Sequence, residues 1–214
     1  GNVAVLLAGL VLVSLSTHKV VSLVLRNKRW INAPITYMRR DCPKLEYERL
    51  LSAQDAGTIC ITTLTDHKSP SLYQRLMRWR NFDGILDLTW ENKEAYAAQH
   101  GYRLYDGSNL IDPTRPPAWS KIRAIQYLLV EEKCDWAVWM DADTVIMNTA
   151  IRFQDFLPQD VSKDLIVGSD KGGGYNSGVF IFRNTDWSKR TLDDWWNMKE
   201  FVQPPGLSKS GDNS

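Results

Sequence analysis

Cysteine is scarce in this chain of 214 residues, which holds only Cys42, Cys60 and Cys134. Their spacings match no zinc-binding pattern, so a structural zinc module is excluded. Cys60 lies in an apolar run and reads as a buried thiol, while a Cys42–Cys134 bridge stays open in an oxidising compartment. An excess of either charge is also lacking. Lys and Arg together number 26 against 25 for Asp and Glu, a net charge of +1. No broad positive field results, which excludes nucleic acid as a partner class. Asn-x-Ser/Thr sequons, internal repeats and low-complexity tracts are absent.

A long hydrophobic run is missing too. The uncharged stretch VAVLLAGLVLVSLS, residues 3 to 16, falls short of the roughly 20 residues a membrane-spanning helix needs. With Lys19 snorkelling to the interface, the span extends through VVSLVL to Leu25. Residues 1–25 are therefore expected to be a membrane anchor, with a cleaved signal peptide and a buried helix as the alternatives. Arg26, Lys28 and Arg29 follow it, and by the positive-inside rule they disfavour a lumenal domain after the anchor. Residues 26–57, charged and carrying Pro34 and Pro43, read as a stem. The final QPPGLSKSGDNS reads as a loop.

What is present is an ordinary globular composition, 43% apolar and 24% charged, with nine Trp. Some of these Trp are core residues. Trp187, Trp195 and Trp196 also suit stacking on sugar faces, since a large flat ring buries area at little entropic cost.

Strand and helix patterns alternate from residue 58. Thr58–Leu64, Ile85–Leu88, Tyr102–Tyr105, Trp136–Met140, Leu165–Gly168 and Gly178–Phe182 read as strands. Ser71–Phe82, Glu91–His100, Trp119–Lys133 and Trp187–Phe201 read as helices, the second bounded by Thr89 and Gly101 and the last capped by Asp186. This order predicts an α/β fold with a largely parallel sheet, whose ligands bind beyond the carboxyl ends of the strands.

Asp141 and Asp143 fall at that edge, just after the continuous apolar run WAVWM. In extended chain, residues two apart face the same side. Two carboxylates converging on one point repel each other unless a divalent cation lies between them. Hard oxygen ligands suit Mn²⁺ or Mg²⁺, which leave coordination positions for substrate phosphates. Thirty residues on, GGGYNSGVFIF allows close backbone approach at Gly172–Gly174, with Asn176 and Ser177 offering polar groups before a buried strand. Lys121 and Asn92 stand on flanking helices. The bland alternatives are a turn cap or a Lys partner for each Asp, a flexible hairpin connection for the glycine-rich stretch, a solvated helix face for Lys121 and a cap for Asn92.

The segments HGYRLYDGS, WSKIRAIQYLL, WAVWMDADTVIMN and YNSGVFIFRNTDWS occur in an order that resembles glycosyltransferase family 34, the galactosyl/mannosyl/xylosyltransferase family. The likeness covers residues 58–214. It implies a GT-A, Rossmann-like catalytic domain over that range. It implies a retaining transferase that moves a sugar from a UDP- or GDP-linked donor to an oligosaccharide or glycoprotein acceptor. It also implies a single-pass type II Golgi membrane protein with the catalytic domain in the lumen. By position, Asp141 and Asp143 would hold Mn²⁺ (or Mg²⁺) against the donor diphosphate. Lys121 and Asn92 would lie near the nucleotide, and Asn176, Ser177 and Gly178 would line the sugar site. Asp212 and Asn213 would stand by the anomeric carbon, with Asn213 replacing the family's Gln and so one methylene shorter. None of His18, His67 or His100 matches the family's histidine metal ligand. The rival readings are a GT-A transferase of another family, or a catalytically silent glycan-binding partner of an active enzyme.

Overall fold

The run WAVWM forms the centre of a six-stranded sheet and is buried at every position. The computed structural model describes residues 3–6, 12–14, 57–66, 84–155, 157–158, 163–169 and 175–202. In chain order the elements are strands β1 (Val3–Leu6), β2 (Leu12–Ser14) and β3 (Ile59–Thr63), helix α1 (Ile85–His100), β4 (Arg103–Asp106), helix α2 (Ser120–Val130), β5 (Trp136–Met140), β6 (Thr144–Ile146), β7 (Leu165–Ser169), β8 (Tyr175–Arg183) and helix α3 (Asp186–Asn197).

The sheet runs β1-β7-β8-β5-β3-β4, and β2 pairs with β6 in a small second sheet. Strands β3 and β5, β3 and β4, and β1 and β7 pair in parallel, but β8 is antiparallel to both β5 and β7. The sheet is thus mixed where a largely parallel one was expected. Residues 170–174 alone join β7 to β8, too few for a parallel crossover.

Alternation along β5 divides the core. Trp136, Val138 and Met140 join Ile59, Ile61, Tyr96, Ala97 and Ile181 on the α1 face. Ala137 and Trp139 join Cys60, Ile122, Ile125, Leu129 and Phe180 on the α2 face. Burying a side chain the size of Trp139 removes about 150–250 Å² from water, or about 4–6 kcal/mol before entropy is counted. Trp139 stacks on Phe180 at a centroid distance of 6.4 Å.

Helix α1 differs most from the sequence reading. The expected strand Ile85–Leu88 is its first turn, entered through Gly84 at φ +70° and left through Gly101 at φ +72°. Its buried stripe is Leu86, Thr89, Lys93, Tyr96 and Ala97, a helical spacing in which two members are polar. Apolar periodicity is accordingly faint, and Thr89 lies inside the helix rather than capping it. Helix α3 is capped by Thr185, whose side chain accepts from Ser188 N, in place of Asp186. A separate 3-10 turn follows at Lys199–Phe201.

Cys60 bridges to Cys134 across 74 residues with Cα atoms 6.0 Å apart. This corrects both the free Cys60 thiol and the Cys42–Cys134 pairing. The two cysteines meet on the α2 face of the sheet, a pairing that only adjacency of β3 and β5 creates.

Within residues 1–25 the described stretches Val3–Leu6 and Leu12–Ser14 are strands, where the sequence reading expects an anchor helix. Their backbones pair with β7 and β6. Among the described residues no helix is long and apolar enough to cross a membrane. The expected stem apart from Gly57, the helix at 71–82 and the terminal loop lie outside the described residues.

Candidate active site

Strand β5 ends at Met140, and the chain turns at once. Thr144 donates to Asp141 O through its amide at 3.1 Å and through its hydroxyl at 2.6 Å. Asp141 and Asp143 therefore sit in a tight turn between β5 and β6, not in extended chain as alternation suggested. The backbone of Asp141 is also pinned to β8, its amide donating to Gly178 O at 2.8 Å.

Asp141 continues the α2 face of β5. Its Oδ1 accepts from the indole Nε1 of Trp139 at 2.8 Å and faces Lys121 Nζ at 3.5 Å. The Lys121 side chain is 3% exposed and that of Asp141 38% exposed. Lys121 Nζ also donates to Ser177 O at 3.3 Å and Ser177 Oγ at 3.5 Å. A solvated helix face for Lys121 is overturned: the first turn of α2 aims it at the carboxyl edge of the sheet. Gly178 lies opposite. A Cβ there would stand 3.1 Å from Asp141 Oδ2 and 2.9 Å from Asn176 Oδ1. Asn176 Oδ1 accepts from Gly178 N at 2.8 Å. Five of the residues read from the sequence, Lys121, Asp141, Asn176, Ser177 and Gly178, thus come together at one place.

Asp143 is buried, and Lys93 of α1 faces the turn from the other side of the sheet. Burial lowers the Lys93 ammonium from 10.5 to about 8, while Asp143 and then Asp141 pull it back up. Sequence reasoning missed Lys93 and Thr89. The only signal was their place on the stripe 86, 89, 93, 96 and 97 beside three apolar residues. Asn92 is elsewhere: its Nδ2 donates to Ile146 O at 3.0 Å and its Oδ1 accepts from Ile146 N at 2.7 Å, so its amide holds β6. Asp212, Asn213 and Gly172–Gly174 lie outside the described residues.

Among the described residues no three His, Cys, Asp or Glu side chains gather. Asp141 and Asp143, two hard oxygen donors in one turn, are the residues that would hold a hard divalent cation. The open face of Asp141 and the missing side chain at Gly178 leave room for such ligands.

The Trp residues of α3 serve packing. Trp187 and Trp195 lie against the α2-face core, and Trp196 is held between the guanidinium groups of Arg115 at 3.9 Å and Arg123 at 4.2 Å. A cavity of about 620 Å³ beside Arg123, Tyr127 and Lys189 contains none of the site residues.

The mixed α/β sheet, with its acidic turn at the carboxyl edge of β5, fits a GT-A, Rossmann-like fold. A crystal structure of a glycosyltransferase involved in glycosylating the major capsid of PBCV-1 superposes with a TM-score of 0.51 at 18% identity, covering 69% of this chain and 71% of that one. Residues 75–166 match the galactosyl transferase GMA12/MNN10 family. Probable glycosyltransferase 6 of Oryza sativa subsp. indica is 30% identical over 167 residues, covering 72% of this chain and 32% of the relative. Probable alpha-1,6-mannosyltransferase MNN10 of Saccharomyces cerevisiae is 27% identical over 161 residues, covering 60% of this chain and 41% of the relative. The chain thus spans between about a third and two fifths of the length of these curated relatives.

Proposed function

We propose that the protein transfers a sugar from a nucleotide-diphosphate donor to a glycan acceptor, with a divalent cation at the acidic turn and retention of anomeric configuration. The observation that carries this reading is the convergence of Asp141, Lys121, Ser177 and Gly178 at the carboxyl edge of β5. Breaking the bond from anomeric carbon to phosphate oxygen builds negative charge on the leaving diphosphate. Mn²⁺ or Mg²⁺ held by Asp141 and Asp143 supplies Lewis-acid stabilisation of that charge. Lys121 adds a fixed positive charge 3.5 Å from Asp141, in a site where burial strengthens it. Trp139 and Lys121 orient Asp141, and Gly178 keeps the space beside it clear. Same-face attack by the acceptor hydroxyl and a carboxylate nucleophile, for which Asp212 is the candidate, both lead to retention. A Golgi lumenal location is supported by the Cys60–Cys134 bridge, since disulfides persist in oxidising compartments.

The test uses the whole protein with UDP-galactose, UDP-xylose and GDP-mannose, each with and without Mn²⁺. Turnover of one donor that requires Mn²⁺ and is lost in Asp141→Ala supports the reading. Metal-independent turnover, or an Asp141→Ala variant with unchanged rate, rules out the metal role. The anomeric configuration of the product, read by NMR, decides retention.

A further inference from the structure

Helix α1 holds the chain after β5 by side-chain hydrogen bonds along its whole length. Thr89 Oγ1 donates to Ala142 O at 2.6 Å. Lys93 Nζ donates to Thr89 Oγ1 at 2.9 Å, to Ala142 O at 3.2 Å and to Thr144 O at 2.8 Å. Further along, Asn92 pairs with Ile146, Gln99 Nε2 donates to Thr149 O at 3.1 Å, and Tyr96 OH donates to Ile151 O at 2.7 Å.

Ala142 is the residue between the two carboxylates. Its carbonyl receives both Thr89 and Lys93, which fixes the plane of the peptide joining it to Asp143. Thr144 closes the turn onto Asp141 O from the other end. All three ammonium hydrogens of Lys93 are taken by neutral oxygens, and the side chain is completely buried. A buried cation is costly unless hydrogen-bonded and close to opposite charge. Here two of the three acceptors are carbonyls of the segment after β5, the third is Thr89 of the same helix, and the opposite charge comes from the carboxylates that the turn carries. A methionine would fill the same volume without the desolvation cost and without holding either carbonyl.

We infer that Lys93 is the positioning residue of the acidic pair: through Ala142 O and Thr144 O it sets the backbone from which Asp141 and Asp143 project toward a cation. It acts through the turn and does not itself reach the cation or the donor. This rests on the metal reading of the proposed function.

The test measures Mn²⁺ binding alone, by electron paramagnetic resonance of free and bound Mn²⁺, on the whole protein and its variants. Lys93→Met is expected to weaken Mn²⁺ binding at least tenfold, with Lys93→Arg recovering part of the loss. Tyr96→Phe removes a bond between the same helix and the same segment, but remote from the carboxylates, and is expected to lower the melting temperature with Mn²⁺ binding unchanged. Thr89→Val, which removes one of the two donors to Ala142 O, is expected to weaken binding about threefold and serves if Lys93→Met does not fold. Mn²⁺ binding unchanged or tighter in Lys93→Met, or in Thr89→Val where that variant serves, overturns the inference alone. Equal weakening in Tyr96→Phe also overturns it, because general loosening would then explain both. A wild-type protein that binds no Mn²⁺ overturns the metal reading and the inference with it.

Discussion

The ammonium of Lys121 lies 3.5 Å from Oδ1 of Asp141 and is almost completely buried, an ion pair built across 20 residues of sequence at the carboxyl edge of the sheet. Helix α2 delivers the lysine and β5 the carboxylate, and both elements are fixed by apolar packing on the same face. Lys121→Met keeps the volume and removes the charge. We expect kcat/KM for the donor to fall by about 10²–10³, the usual effect of removing one charge-stabilising donor from an active site. Steady-state kinetics checks it; a change under threefold would return Lys121 to a purely structural role.

Gly178→Ala should separate activity from stability. The added Cβ meets Asn176 Oδ1 at 2.9 Å and Asp141 Oδ2 at 3.1 Å, so one or both side chains must shift. Asn176 lies at an open edge, and the shift is expected to leave the melting temperature within about 2 °C, an effect under 1 kcal/mol for a domain of this size. Turnover is expected to drop at least tenfold. Thermal unfolding set beside donor kinetics tests this, and wild-type turnover in Gly178→Ala removes the close-approach argument.

The Cys60–Cys134 bridge closes a loop of 74 residues. Chain entropy gives about 4.5 kcal/mol for a loop of that size. At 2–4 °C per kcal/mol, reduction is expected to lower the melting temperature by about 10–20 °C. Unfolding curves with and without reductant read this directly. Identical curves, or a free Cys60 thiol by mass mapping, would contradict the pairing.

Two buried tyrosines set the behaviour in alkali. Burial pushes the Tyr96 hydroxyl well above its ordinary range, and it raises Tyr102 as well. The folded state thus keeps protons that the unfolded chain releases above about pH 10. Their contribution is complete below that pH and declines as pH rises beyond it. Tyr96→Phe is expected to flatten the loss between pH 10 and 11 and to cost about 1 kcal/mol at neutral pH, from the lost bond to Ile151 O. Denaturant melts across that range measure both; a Tyr96→Phe variant with the wild-type alkaline slope refutes the assignment.

The site was half legible in the chain. Trp136–Met140 announced a central strand because only a strand covered on both faces is apolar throughout, and the acids after it marked the edge. Lys121 was visible as a candidate, but its burial was not: nothing in WSKIRAIQYLL distinguishes a lysine facing water from one facing Asp141. Lys93 and Thr89 were invisible as core residues. They are buried because the backbone carbonyls of Ala142 and Thr144, some 50 residues away, accept their protons. Without those acceptors they count as polar, and the helix from Ile85 dissolves into an apparent strand and a shorter helix.

The sequence by itself determined the alternation of strands and helices, the burial of β5, and the presence of an acid pair where a sheet of this class binds ligands. These are local matters of hydrophobic period and chain order. Only the tertiary structure decided that the acids sit in a turn, that β8 runs antiparallel to its neighbours, that Cys60 meets Cys134, and that two lysines face the turn from opposite sides of the sheet. The disulfide and the two lysines each depend on a thiol or polar group meeting its partner across a long sequence gap. Hydrogen-bond satisfaction and charge pairing act through space, and one-dimensional periodicity carries no record of which distant groups they join.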